Sequence, residues 1–203
     1  VFKNLPSSSK NITIFANPEF DKVNSNSNEE SNSITPDRIA FRNLGLSKLP
    51  GSEIEGKMLL ELAEEKGFKS NFKLSFEASE KNLRQINSPW ILHLATHGFF
   101  LSQKNLENIS ELMNMPYANK PRSTSLNPMQ RSGLALAGAK RAIEKWQKGE
   151  TVNEKNDGIL TAEEASQLDL SNTWLTVLSA CDTGSGVARA GEGVLGLRRA
   201  FAM

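Results

Sequence analysis

The sequence of 203 residues is poor in the side chains that staple or metallate a fold: it has one cysteine, Cys181, and two histidines, His93 and His97. A single thiol excludes an internal disulfide and any zinc site built from several cysteines. An excess of one charge is missing too. With 24 Lys+Arg against 23 Asp+Glu the net charge is +1, so bulk charge marks neither a nucleic-acid footprint nor an acidic tail. No apolar run approaches the roughly 18 residues of a membrane span, and Val1-Phe2-Lys3-Asn4 does not open a signal peptide. These absences predict a soluble, cytoplasmic chain with no nucleic-acid or membrane partner. Its chemistry must then be sought in individual side chains.

What is present is enough for a core: hydrophobic residues make up 38% of the chain, and the length corresponds to a single domain at about 100 to 200 residues each. Ile12 to Ala16 is a short apolar, β-branched run ending at the turn signal Asn17-Pro18, as a buried strand does. Asn24 to Ser33 has no apolar residue, and 24–38 is predicted to be a loop. Ser52-Glu53-Ile54-Glu55 reads as a capping box, and Ile54, Met58, Leu59, Leu62 and Ala63 recur at helical spacing before Gly67. Phe72, Leu74 and Phe76 alternate as in a half-buried strand, and a short helix is predicted from about Ser79 to Ile86.

Trp90 to Thr96 is a second continuous apolar strand, closing at His97-Gly98. The stretch 104–131, with three prolines, is predicted to be a loop or insertion. Leu134 and Leu136 suggest a short strand within Gly133 to Gly138. Thr161-Ala162-Glu163-Glu164 is a second capping box, and Trp174 to Ala180 is a third buried strand that runs into Cys181. Strands alternating with helices predict an α/β domain with a mainly parallel sheet. Gly191 to Met203 has an amphipathic helical pattern and no C-cap glycine, so the domain is expected to be cut short inside that helix.

In open parallel sheets, functional groups gather at the carboxyl ends of the strands. His97 and Cys181 both fall there, each followed by a glycine-containing loop. An imidazole near a thiol draws out the thiolate and can then protonate a leaving group. Backbone N–H groups beside glycines can face an oxyanion. The pair therefore fits a Cys/His hydrolase dyad, although a lone cysteine ending a buried strand is more often a small core residue.

The surrounding segments resemble the CHAT domain, a caspase-like domain often found with tetratricopeptide repeats and related to caspases, metacaspases and separase. They are Leu49-Pro50-Gly51-Ser52-Glu53-Ile54-Glu55, Leu92-His93-Leu94-Ala95-Thr96-His97-Gly98-Phe99-Phe100, Ser132 to Ala139, Asp157-Gly158-Ile159-Leu160-Thr161-Ala162-Glu163-Glu164, Leu178-Ser179-Ala180-Cys181-Asp182-Thr183-Gly184, and Gly191 to Phe201. The resemblance implies a three-layer α/β/α caspase-like sandwich whose last strands lie beyond Met203. It also implies a cysteine endopeptidase mechanism with no cofactor. Cys181 would be the nucleophile and His97 the general acid/base, the backbone N–H groups of Gly98 and Cys181 would hold the oxyanion, and no third catalytic residue would be needed. A protein substrate and control by a tetratricopeptide-repeat domain or other regulatory protein are implied as partners.

His97 and Cys181 are 84 residues apart, or 56 with 104–131 set aside, near the roughly 50 of caspases. The caspase tripeptide Gln-Ala-Cys is absent, because Ser179-Ala180 precedes Cys181, so an aspartate preference does not carry over. Relatives that cut after Lys or Arg use acidic pockets, which makes Glu19, Asp21 and Asp182 candidate substrate-pocket residues.

The same residues admit three other readings. His93, four positions before His97, could join His97 and Cys181 as zinc ligands. The segment reads as strand, however, and lacks the glutamate of a zinc-hydrolase helix, so no metal is assigned and His93 is read as a packing or hydrogen-bonding neighbour. Gly191-x-Gly193-x-x-Gly196 matches a dinucleotide fingerprint, which leaves a nucleotide-binding α/β domain open, but about ten residues separate it from the preceding strand where the motif needs none. An inactive caspase-like interaction module is the remaining alternative.

Overall fold

The computed structural model describes residues 10–21, 45–100, 129–148, 150, 152, 156–180 and 197–201. The predicted loop 24–38 lies outside them, as does all of 104–131 except its last three residues. In chain order the elements are β1 (Asn11–Pro18), α1 (Pro50–Glu65), β2 (Lys69–Ser75), α2 (Glu80–Arg84), β3 (Ile91–Ala95), β4 (Gly98–Phe100), β5 (Ser132–Ala135), α3 (Ala139–Gln147), β6 (Ile159–Thr161), α4 (Ala162–Ala165) and β7 (Leu175–Ser179). Residues 197–200 are helical as well.

Four strands form a parallel sheet in the order β2-β1-β3-β7. The continuous apolar runs of β1 and β3 are what a strand covered on both faces requires. Ile12 and Ile14 pack with Ala63 of α1 on one face. Phe15, Leu92 and Leu94 pack on the other with Leu83 of α2, Ala162 and Ala165 of α4, and Leu197 and Ala200. The result is the three-layer α/β/α sandwich. β4, β5 and β6 form a separate antiparallel sheet, which the sequence pattern did not announce beyond the strand at Leu134. Alternation divides this small sheet's residues between two cores: Leu134 and Leu160 face the main one, while Ala135 and Ile159 pack with Phe20, Phe99, Ala142 and Ile143.

Two expectations for α1 are corrected. Ser52 is not its N-cap: the helix begins at Pro50, with Leu49 at the cap and no side-chain capping bond. Proline at the first helical position supplies a ready-made φ and has no N–H to orphan, which frees the Ser52 hydroxyl for another partner. Nor does the helix bury the whole of the expected stripe: Ala63 is buried and Leu59 packs beside it. Ile54, Met58 and Leu62 are 61%, 65% and 50% exposed, whereas Gly56 and Ala63 are buried. Gly56 sets this rotation, because a Cβ there would stand 2.8 Å from the Phe72 ring and 3.0 Å from the Ala16 methyl; the helix comes down on the sheet along its smallest residue.

The second capping box is present as read: the Glu164 amide donates to Thr161 Oγ1 at 3.2 Å, and Glu164 Oε2 accepts from the Thr161 amide at 2.8 Å. Below α4, the fully buried Glu80 accepts from Arg84 at 2.7 and 3.0 Å and from the Gly158 amide at 3.2 Å, and Arg84 also reaches Glu164 at 3.3 Å. A buried carboxylate needs this set of donors. At the amino edge of the main sheet, the residue before each of three strands is aromatic. Phe68 stacks on Trp90 at 5.6 Å and Trp90 on Trp174 at 5.4 Å, with the Lys10 ammonium 5.9 Å from the Phe68 ring centre.

Candidate active site

The winding of the main sheet changes direction between β1 and β3. From β1 the chain passes through α1, on one face, to β2; from β2 it passes through α2, on the other face, to β3 on the far side of β1. Such a switch point opens a crevice outside the carboxyl ends of the two strands. Asn17 and Phe20 lie at the end of β1, and His97 follows β3 by two residues.

The end of β1 is shaped to hold a third segment there. Its pairing with β2 skips Asn17, passing from Ala16↔Leu74 to Pro18↔Ser75, and Asn17 takes φ +40°. This is a bulge, which re-aims the side chain, and asparagine tolerates the left-handed region better than most residues. Its Oδ1 accepts from the Leu49 amide at 2.9 Å, its Nδ2 donates to Glu53 at 3.0 Å, and its backbone N–H donates to Ser52 Oγ at 2.9 Å. Three bonds thus fasten the start of α1 to the sheet.

Two residues before Leu49, Ser47 is brought against His97. The His97 Nε2 lies 2.8 Å from the Ser47 carbonyl oxygen and 3.3 Å from the Ser47 amide. The shorter contact fits an Nε2 that donates to the carbonyl, the tautomer with its lone pair on Nδ1, and the longer one an Nε2 that accepts from the amide. The carbonyl can also accept from the imidazolium, so it serves both protonation states. The ring is 5% exposed and tilted against Phe20, with centroids 5.2 Å apart. Below it, the His97 carbonyl accepts from the Ala135 amide at 2.9 Å and the Thr96 hydroxyl donates to the Ala135 carbonyl. Backbone, ring face and Nε2 are therefore all fixed.

β7 lies beside β3, with Ala95 paired to Ser179. In sequence, His97 and Cys181 each follow that pair by two residues. Cys181 and Asp182 lie outside the described residues, as does the Gly191–Gly196 motif. Gly98 begins β4, paired with Leu134 of β5. Glu19 and Asp21 flank Phe20 on the same edge as His97, and both already have cationic partners: Lys48 at 3.4 Å from Glu19 and Lys140 at 2.6 Å from Asp21. Asp21, by hydrogen bond and charge, holds the exposed Lys140 ammonium above its ordinary pKa.

His93 has a carboxylate neighbour that the sequence reading missed. On the α1 face of β3 its Nε2 is 3.0 Å from Glu55 Oε1, and Glu55 Oε2 accepts from the Ser179 hydroxyl at 2.9 Å. Burial pushes the His93 pKa below its ordinary value, and the nearby Glu55 carboxylate opposes that only in part; His93 Nε2 is not aligned as a hydrogen-bond donor to it. Among the described residues no three His, Cys, Asp or Glu side chains are grouped to hold a metal, and no helix is long and apolar enough to cross a membrane.

These features define a doubly wound α/β domain whose candidate chemistry sits at its switch point. The family model described as CHAT domain matches residues 3–203. The chain belongs to the CHAT domain family, which is caspase-like and peptidase-related. No curated protein and no solved structure matches it.

Proposed function

We propose that the domain is a cysteine endopeptidase acting through Cys181 and His97 on a protein substrate. The observation that carries this reading is the fixed His97 imidazole: its Nε2 is held 2.8 Å from the Ser47 carbonyl, and in the tautomer that donates there Nδ1 exchanges the proton at the end of the strand neighbouring β7. His97 Nδ1 takes the Cys181 thiol proton, and the thiolate sulfur bonds to the scissile carbonyl carbon as the carbonyl π pair moves onto oxygen. The N–H groups of Gly98 and Cys181 are the proposed donors to that oxyanion. As the oxyanion collapses the C–N bond breaks, and the Nδ1 proton goes to the leaving amine. Water, deprotonated by His97, then cleaves the thioester and restores the thiol. Ser47 acts as a positioning group.

Control by a repeat domain or protein partner belongs to the same proposal, as does a pocket for a basic residue at Glu19, Asp21 and Asp182. A substrate Lys or Arg would have to displace Lys48 and Lys140 from the first two. The test is cleavage of protein substrates by the full-length protein and its Cys181→Ala and His97→Ala variants. Loss of cleavage in both is expected, with His97→Ala down about 100- to 10,000-fold. Full activity of Cys181→Ala overturns the proposal.

A further inference from the structure

The mechanism above leaves unused a polar cluster beneath its own site. Glu55 stands in α1, which packs over β1 and β2 through Gly56, Leu59 and Ala63. From there its two carboxylate oxygens separate: Oε1 lies 3.0 Å from Nε2 of the buried His93 on β3, and Oε2 accepts from the Ser179 hydroxyl, the last residue of β7, at 2.9 Å. One side chain from the helix thereby reaches two neighbouring strands, through a hydrogen bond from Ser179 and a close contact with His93 Nε2 that is not aligned as a hydrogen bond. β7 has more need of such a tie than β1 or β3. Its residues are exposed or half-buried, and β3 is its one partner among the described strands of that sheet.

We propose that Glu55 is a positioning residue of the candidate active site: by bridging His93 and Ser179 it fixes the spacing of the carboxyl ends of β3 and β7, which lead to His97 and Cys181. The inference rests on the Cys181/His97 reading above. The segment leading into the same helix holds His97 through the Ser47 carbonyl, so one stretch of chain reaches His97 through a backbone carbonyl and the end of β7 through a carboxylate. A misplacement of about 1 Å between reacting groups can cost on the order of 100-fold in rate, which gives such a bridge its leverage.

The experiment compares wild type, Glu55→Gln, Glu55→Ala and Ser179→Ala in the full-length protein, reading kcat and KM separately and the rate of Cys181 alkylation by iodoacetamide. A carboxamide can still accept from Ser179 and donate to a neutral His93, so Glu55→Gln is expected within a few-fold of wild type. Glu55→Ala is expected to lower kcat about 10- to 100-fold with KM changed less than threefold, and to slow alkylation; Ser179→Ala should move both in the same direction. Should Glu55→Ala fail to fold, Ser179→Ala decides alone. Wild-type kcat and alkylation rates in Ser179→Ala and, where it folds, in Glu55→Ala overturn the positioning role while Cys181→Ala remains dead. Cleavage by Cys181→Ala overturns the peptidase reading instead.

Discussion

Replacing Asn17 tests how the histidine comes to be held. The side chain supplies two hydrogen bonds, to the Leu49 amide and Glu53, each with a net contribution of about 1 kcal/mol. The backbone at φ +40° costs alanine roughly 1 kcal/mol more than it costs glycine or asparagine. Asn17→Gly should therefore lose about 2 kcal/mol and Asn17→Ala about 3, reversing the usual order in which glycine is the worse strand residue. For a chain of this length 1 kcal/mol corresponds to roughly 2–4 °C, so Asn17→Ala should melt about 6–12 °C lower, a shift that calorimetry or urea titration resolves. Under the proposed function both variants should also lose peptidase activity beyond their loss of folded protein, because the segment carrying Ser47 is freed from His97. An alanine variant as stable as wild type, or more stable than the glycine variant, would refute the reasoning.

Further consequences can be checked by the same unfolding measurements. Gly133→Ala would put a methyl group 2.3 Å from the Leu160 carbonyl oxygen and 2.6 Å from the Phe99 ring, where both backbone and ring would have to yield. A loss of more than about 2 kcal/mol is expected, and no loss would mean that β5 and β6 are less closely apposed. Thr161→Ala removes the cap of α4 and should cost about 0.5–2 kcal/mol; Thr161→Ser should recover most of it. His93 is held below its ordinary value of 6.5, with burial the leading cause. The unfolded chain therefore binds its proton first as pH falls, and stability present above about pH 6.5 is lost on acidification, by at most about 1.4 kcal/mol per pH unit for one proton. His93→Gln should flatten that slope, and an unchanged slope in the variant would assign it elsewhere.

β1 and β3 were legible because they are buried on both faces and so read as unbroken apolar runs bounded by turn signals, whereas β2 showed itself by alternation and β7, read as a buried strand, is exposed or half-buried. His97 was legible for the same reason, since it stands where such a run gives out. The small sheet was not. β4 and β6 have only three residues each, too short for any period to register. The rotation of α1 was misread because apolar periodicity counts Ile54, Met58 and Leu62 but gives no weight to Gly56, the residue that decides how closely the helix can approach. Ser47 and Glu55 escaped for different reasons. Ser47 acts through its carbonyl, which every residue possesses, and Glu55 sat inside what looked like a capping box. A histidine on the helix-facing side of a strand could have prompted a search of that helix for a carboxylate.

The aromatic stack at the opposite edge has a use of its own. Trp90 and Trp174 stand immediately before β3 and β7, with rings 5.4 Å apart, close enough for the excited states of the two indoles to mix. The strands leading to His97 and Cys181 thus carry an optical ruler at their far ends. A change in their separation would alter circular dichroism in the indole band, so movement of β3 against β7 could be followed in the unlabelled protein.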